Sequence, residues 1–190
     1  MKNILGIFLF STSMLFAQQP DLKTPFEKGN GNQSATYQET MNYYQMIDKN
    51  FETISMKTMG VTDNGEPLHM VTFNADKVFD FKQINASNKT VMLINNGIHP
   101  GETDGIDATM SFMRDLASGK IIAPKNTVVV AIPVYNIGGA MNRNSTSRLN
   151  QNGPESYGFR GNSRNFDLNR DFIKSDTRNS RSFQVIFNIV

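Results

Sequence analysis

The stretch TVMLINNGIHPGETDGIDATMSFMRDLAS, residues 90–118, carries the pattern that decides the fold. It opens with a short, continuous apolar run at residues 90–96, which is typical of a strand buried on both faces. A helical pattern follows from about Thr103 to Ser118. The apolar face of this predicted helix consists of Ile106, Met110, Met113 and Ala117. Because another apolar run at residues 126–135 predicts a second buried strand, we expect a parallel pair with a right-handed crossover.

The residues before this stretch predict a further helix and a hairpin. Apolar side chains recur at steps of three and four in residues 37–53, which favours an amphipathic helix. Two strands are predicted at Ile54–Val61 and Leu68–Phe73, joined by the turn signal Asp63-Asn64-Gly65. The sequence therefore predicts an α/β fold with a mixed, mostly parallel sheet flanked by helices.

The N-terminus has the pattern of a secretory signal peptide. Residues 1–17 combine one lysine, a short apolar run and Ala17 before a polar stretch. A membrane anchor is the alternative, but Ser11, Thr12 and Ser13 leave the run shorter than the roughly 20 apolar residues of a spanning helix. We therefore predict a secreted or periplasmic protein without a membrane span after cleavage, in which residues 18–36 form an extended segment.

Composition excludes several classes of function. Hydrophobic residues make up 38% of the 190 residues, which is too many for a largely disordered tail protein. The formal net charge of +2 does not indicate a nucleic-acid partner. The absence of cysteine excludes a disulfide scaffold, a thiolate zinc site and a cysteine nucleophile. Any histidine-dependent chemistry must use His69 or His99, because the chain has two histidines.

The first candidate for chemistry is the sequence Asn-Asn-Gly-Ile-His-Pro-Gly-Glu at residues 95–102. It lies between the strand predicted at residues 90–96 and the helix predicted from about Thr103 to Ser118. Ligand sites in open α/β sheets usually lie at such strand ends. His99 and Glu102 can aim a nitrogen and a carboxylate at one point, and zinc accepts both donors. The alternative is a hydrogen-bonded histidine with Glu102 near a helix N-terminus, where its charge is favoured. Spacing and position favour the metal site.

The second candidate combines Phe159-Arg160-Gly161-Asn162 with Phe-Asp-Leu-Asn-Arg-Asp-Phe at residues 166–172. An arginine meets a carboxylate with two parallel hydrogen bonds, and a neighbouring asparagine can add a donor. The alternative is that Arg170 pairs with Asp167 or Asp171 as a structural clamp. Seven of the eight arginines lie between Arg143 and Arg181, which fits either an anion-binding loop or a solvated loop with scattered salt bridges.

Together the two motifs resemble the zinc carboxypeptidases of the carboxypeptidase A/B type. His-x-x-Glu follows a buried strand, and Asp-Leu-Asn-Arg follows in a later loop at residues 167–170. The strand exit Pro133-Val134-Tyr135-Asn136 is also similar to that family, and residues 150–162 are similar to its exported bacterial members. The resemblance covers roughly Tyr37 to Phe187.

This resemblance implies a role for each matching residue. His99 and Glu102 would be ligands of one Zn²⁺, and Asn169 and Arg170 would bind the terminal carboxylate of a peptide or protein substrate. Arg160 would polarise the scissile carbonyl and stabilise its oxyanion, with Arg164 as the fallback for that role. Residues 37–190 would then form the N-terminal part of a zinc carboxypeptidase-like catalytic domain.

The chain also departs from the family. The family's third zinc ligand is a histidine beyond the Asn-Arg motif, and its general-base glutamate follows later. This chain has no histidine after His99 and no glutamate after Glu155. His69 lies in a predicted strand, where we expect a hydrogen-bonded sheet histidine. We therefore expect an incomplete fold and an inactive N-terminal part of a longer enzyme, arising through a fragment, a frameshift or a premature stop.

Two alternatives to the metallocarboxypeptidase remain open. A non-catalytic module could hold peptide or cell-wall carboxylates with the arginine-rich loop. A related amidoacyl hydrolase could keep the fold and cleave a different bond. Oligomeric state and side-chain preference do not follow from the sequence.

Overall fold

A computed structural model describes residues 20–190, so the predicted signal peptide lies outside the described residues. The main sheet has four strands in the order β1-β2-β4-β3. These strands are β1 (Ile54–Val61), β2 (Pro67–Phe73), β3 (Thr90–Asn95) and β4 (Thr127–Ile132). A second, two-stranded ladder joins β5 (Arg143–Asn144) to β6 (Tyr157–Gly158).

Six α-helices and one 3₁₀ turn surround these strands in the described part of the chain. The helices are α1 (Pro25–Lys28), α2 (Tyr37–Asn50), α3 (Phe81–Ala86), α4 (Asp104–Ala117), α5 (Ile137–Met141) and α6 (Arg178–Ile189), and the 3₁₀ turn is Leu168–Arg170. α6 packs against both hairpin strands, while α2 packs against β1 and also contacts α4. No helix among the described residues is long and apolar enough to cross a membrane.

The predicted α/β fold is confirmed, with one difference in the sheet. β1 and β2 form the expected hairpin, in whose turn Gly65 has a φ of +89° that favours glycine. β3 and β4 are parallel and joined through α4, as the strand–helix–strand order predicted. β2 also pairs antiparallel with β4, so two of the three strand pairings within the described main sheet are antiparallel, and the sheet is mixed rather than mostly parallel.

The prediction that β3 is buried on both faces is wrong. β4 lies between β2 and β3, and its residues Val128 to Ile132 are at most 1% exposed. β3 lies at the edge of the described sheet, where Met92 is 40% exposed and the neighbouring apolar side chains are half-buried. A continuous apolar run does not distinguish an edge strand from a central strand, because periodicity reports neither its neighbours nor its order in the sheet.

The segment at residues 20–36 is less extended than predicted. Thr24 caps α1 with a complete capping box, in which the Glu27 carboxylate accepts a hydrogen bond from the Thr24 backbone N–H. Glu27 also binds Arg114 of α4 at 2.5 Å, and the backbone carbonyl of Leu22 accepts a hydrogen bond from Tyr43 of α2. These contacts fasten the segment to α2 and α4.

Asp107 of α4 also contacts the segment at residues 20–36, and its buried charge lowers the stability of the folded chain. Its carboxylate accepts a hydrogen bond from the backbone N–H of Ala35 (3.1 Å), and burial raises its pKa from 3.8 to about 6. When the pKa of a carboxyl is higher in the folded state than in the unfolded state, the free energy of unfolding falls as the pH rises from the unfolded-state pKa to the folded-state pKa. We therefore expect Asp107→Asn, which keeps an acceptor, to increase the free energy of unfolding at pH 7 by about 1–2 kcal/mol.

Urea unfolding at two pH values tests this prediction. The gain should disappear near pH 4, where the wild-type carboxyl is largely protonated in the folded protein. An equal effect of Asp107→Asn at both pH values would contradict the assignment of the gain to the buried charge.

Candidate active site

The turn that carries His99 and Glu102 begins where β3 ends and is fixed by backbone contacts to the exit of β4. The N–H of Tyr135 donates to the carbonyl of Asn96 (2.8 Å), and the N–H of Asn136 donates to the carbonyl of Gly97 (3.0 Å). Gly97 has a φ of +66°, and an added Cβ would lie 3.1 Å from Ile106. The chain can therefore turn here only because residue 97 has no side chain.

His99 lies in this turn between two carboxylates. The imidazole is buried, and its Nε2 lies 2.8 Å from Oδ1 of Asp167. Its Nδ1 lies 3.4 Å from Oε1 of Glu102. Because the Asp167 carboxylate only accepts hydrogen bonds, the proton of the neutral ring belongs on Nε2. The lone pair of Nδ1 then faces an oxygen of Glu102, which is an arrangement that a cation between the two atoms would stabilise.

The spacing of these two atoms fits a zinc ion. Nitrogen and oxygen ligands at about 2.0–2.1 Å from a tetrahedral zinc lie about 3.3–3.4 Å apart. The observed separation of 3.4 Å between Nδ1 and Oε1 matches that value without any movement. No group of three or more metal-binding side chains occurs within residues 20–190, so the pair supplies two ligands.

Asp167 connects the histidine to the arginine-rich loop. Its Oδ2 accepts hydrogen bonds from Nε (3.1 Å) and Nη2 (2.9 Å) of Arg160, while Oδ1 binds His99 and the backbone N–H of Asn169. Burial alone would raise the pKa of Asp167, but the hydrogen bonds from His99 and Arg160 outweigh it and lower the pKa to about 2. The carboxylate is therefore ionised throughout the neutral range and holds both partners.

Arg148 is a second partner of the Glu102 carboxylate. Nη2 of Arg148 lies 2.6 Å from Oε1, the same oxygen that faces His99. This hydrogen bond lowers the pKa of Glu102, against a smaller opposing effect of burial. Glu102, Arg148 and Arg160 line one open cavity of about 440 Å³ with residues 147 and 149–151. The cavity thus brings a carboxylate and two guanidinium groups together beside His99.

Asn169 and Arg170 form the 3₁₀ turn that starts directly after Asp167. The Asp167 carboxylate caps the turn, Leu168 is buried, and the side chains of Asn169 and Arg170 are exposed. Arg170 donates from Nη1 to the carbonyl of Asn169 (3.0 Å). The clamp alternative is not observed, since Asp167 binds His99 and Arg160 while Asp171 accepts hydrogen bonds from Thr177 and Ser180 at the start of α6.

Arg164, the fallback for Arg160, points elsewhere. Its guanidinium lies 3.7 Å from the buried Asp63 carboxylate and 4.8 Å from the centre of the Phe166 ring. Arg160 is thus the one of the two that contacts the carboxylate bound to His99.

His69 lies outside this cluster, in β2 opposite Thr58. The expectation of a fully hydrogen-bonded sheet histidine is wrong at one atom, because Nδ1 is buried without a partner among the described residues. Burial lowers the pKa of His69, which favours the neutral ring and reduces the cost of that missing bond.

Two contributors to the site were missed by sequence reasoning. The sequence indicated Asp167 only as a possible partner of Arg170, and it gave no signal for Arg148. Asp167 is 68 positions from His99 in the sequence, and Arg148 is 46 positions from Glu102. The position of Asp167 directly before Leu-Asn-Arg was the one available signal, since a carboxylate commonly orients a metal-bound histidine.

Comparisons with known proteins give one family. The sequence matches the zinc carboxypeptidase family over residues 40–185. No curated protein matches the chain.

Three solved structures share the fold, each with a TM-score of 0.61. Bovine thrombin-activatable fibrinolysis inhibitor, solved in complex with a tick carboxypeptidase inhibitor, is 14% identical, and the match covers 82% of this chain and 56% of that one. Carboxypeptidase A from Helicoverpa armigera is 16% identical, with 81% and 42% covered. The metallo-carboxypeptidase from Burkholderia cenocepacia is 15% identical, with 83% and 39% covered. The chain therefore spans between 39% and 56% of the length of these proteins.

Proposed function

Because the chain belongs to the zinc carboxypeptidase family, we propose that it carries the His99–Glu102 part of the zinc site of a metallocarboxypeptidase. The observation that supports this most directly is the 3.4 Å separation of Nδ1 of His99 from Oε1 of Glu102. The hydrogen bond from His99 to Asp167 adds support, since it presents the unprotonated Nδ1 to that position.

The reaction we propose is hydrolysis of the C-terminal peptide bond of a peptide or protein. Bound zinc supplies a water of lowered pKa and polarises the carbonyl of that bond. His99 and Glu102 hold the ion, and Asp167 keeps the His99 ring in its orientation. Asn169 and Arg170 bind the terminal carboxylate of the substrate, for which the planar guanidinium offers two parallel donors.

Arg160 is the residue we assign to the oxyanion. Its guanidinium lines the cavity beside Glu102 and is held at Asp167 by two hydrogen bonds, so it is fixed before substrate arrives. A donor fixed in this way stabilises developing negative charge without reorganising.

The proposed function includes a cellular location and a domain assignment for the chain. Residues 1–17 would direct export to the periplasm or the outside of the cell, and residues 37–190 would form part of the catalytic domain. The partners would be peptide or protein C-termini, with no nucleic acid. With two ligands among the described residues, we expect little turnover by this chain alone.

Binding of a short peptide with a free C-terminus, compared with its C-terminal amide, tests the proposed function. Calorimetry with the zinc-loaded chain should show at least about tenfold tighter binding of the free acid, because the amide removes the charge that Arg170 recognises. Arg170→Gln should remove this preference, whereas Arg178→Gln, a change of equal charge at an exposed position of α6, should keep it.

Three outcomes would argue against parts of this proposal. Equal affinity for acid and amide would contradict carboxylate recognition. An affinity for the free acid that is the same with and without chelator would favour the binding module over the metallopeptidase. Rapid zinc-dependent release of C-terminal residues by the chain would contradict the expected low turnover.

A further inference from the structure

Glu102 needs an additional partner if it is to act as a metal ligand. Its side chain is 56% exposed, and a glutamate at such a position is free to adopt several rotamers. Its carboxylate has two contacts within residues 20–190, with Nδ1 of His99 at 3.4 Å and with Nη2 of Arg148 at 2.6 Å. The shorter contact, from Arg148, is therefore the one that restrains the oxygen.

Arg148 is itself held by contacts that do not involve Glu102. Its Nη1 donates to Oε1 of Gln151 (3.2 Å), and its backbone N–H donates to the hydroxyl of Tyr157 (3.2 Å). The side chain crosses Gly101 so closely that a Cβ there would lie 2.7 Å from Nε of Arg148. Gln151 in turn donates to the carbonyl of Gly101 (2.9 Å). The loop between β5 and β6 thus lies directly on the turn that carries the two candidate ligands.

We propose that Arg148 is a positioning residue that holds Oε1 of Glu102 toward Nδ1 of His99, without touching metal or substrate itself. The inference rests on the proposed function, because it assigns Arg148 to the same zinc site. A carboxylate oxygen has two lone-pair positions, so one accepts from Arg148 and the other stays directed at His99. Because the supports of Arg148 come from Gln151 and Tyr157 and do not involve Glu102, the guanidinium is held in place independently of the carboxylate.

The opposite role is the competing hypothesis. A guanidinium paired with Glu102 could act as a substitute for the metal ion and have to leave before zinc binds. The two roles predict opposite signs for the same measurement, since a positioning residue strengthens zinc binding and a competing residue weakens it.

Zinc affinity, measured by competition with a chromophoric chelator, separates these roles. Arg148→Gln should weaken zinc binding about 10- to 100-fold, the range found for outer-shell partners of metal ligands. Arg148→Lys should recover part of the loss, because a single charged donor can still reach the carboxylate. Gln151→Ala, which removes one support but no charge, should weaken binding less than Arg148→Gln, and Arg178→Gln is the charge-matched control.

The visible absorption spectrum of the cobalt-substituted chain provides a second readout. A displaced Glu102 changes the ligand field of cobalt, so Arg148→Gln should alter the spectrum while Arg178→Gln leaves it unchanged. Circular dichroism and thermal unfolding confirm that each variant is folded. If Arg148→Gln fails to fold, the graded losses in Arg148→Lys and Gln151→Ala carry the test.

The outcomes distinguish this inference from the proposed function. Zinc binding by the unchanged chain together with unchanged or tighter binding by Arg148→Gln would overturn the positioning role alone. Failure of the unchanged chain to bind zinc or cobalt would overturn the metal site, and the positioning role with it.

Discussion

Replacing either predicted ligand, as His99→Ala or Glu102→Gln, is expected to weaken zinc binding by more than about 100-fold. Mutation of residues that only hydrogen-bond to a metal ligand already lowers metal affinity about 10- to 100-fold. Each change removes one of the two donors that lie 3.4 Å apart. Because only two candidate ligands lie together among the described residues, the remaining donor is a single side chain and cannot chelate the ion. Titration with zinc against a chelator of known affinity measures the loss.

Matched controls are available for both substitutions. His69→Ala removes the other histidine of the chain, which lies in β2 away from the cluster. Glu52→Gln neutralises an exposed carboxylate that pairs with Lys77. Both controls should bind zinc as the unchanged chain does. Equal losses in His69→Ala and His99→Ala would show that zinc binds nonspecifically to imidazole, and would contradict the assigned site.

Asp167→Asn is expected to weaken zinc binding by about 10- to 100-fold through the His99 ring. The carboxylate accepts the Nε2 proton at 2.8 Å and so leaves Nδ1 free for the metal. An asparagine can instead donate from its amide to Nε2, which favours the tautomer with the proton on Nδ1. That proton occupies the position of the metal and must be lost before zinc binds.

The same substitution also releases Arg160, whose guanidinium loses its charged partner. Asp176→Asn, at an exposed position before α6, is the control for the loss of one negative charge. If Asp167→Asn and Asp176→Asn bind zinc with the same affinity as the unchanged chain, Asp167 does not orient the histidine. The two-state unfolding transition of Asp167→Asn should be recorded alongside, so that a loss of fold is not mistaken for a loss of the site.

Much of the fold could be predicted because its signals are local. The hairpin turn at Asp63-Asn64-Gly65, the helical spacing in α4 and the parallel pair β3–β4 each depend on residues that are close in sequence. The exposed edge of β3 could not be predicted, because Met92 has the same apolar neighbours in sequence whether or not another strand lies beside it. The short helix α1 was missed because its four residues, Pro25–Lys28, are too few to show a helical period.

The site likewise contains residues that could be predicted from local sequence and residues that could not. His99 and Glu102 lie three positions apart on one turn, so their spacing already indicated a shared ligand. Arg148 reaches them through the β5–β6 loop, and Arg160 and Asp167 through the segment between β6 and the 3₁₀ turn. The paths of both segments depend on close backbone contacts. One such contact is the approach of Gly101 to the carbonyl of Gly158, where a Cβ would lie 2.8 Å away. Sequence spacing carries no information about contacts of this kind.

The most direct test of the zinc site is long-range ¹H–¹⁵N NMR of the two histidine side chains during a zinc titration. Two imidazoles give few signals, and His69→Ala assigns them. Binding as inferred predicts that Nδ1 of His99 shifts to the metal-bound range, that its Nε2 stays protonated at Asp167, and that His69 is unaffected. A shift of His69 instead, metal binding through Nε2 of His99, or no shift at either ring would contradict a zinc site at His99 and Glu102.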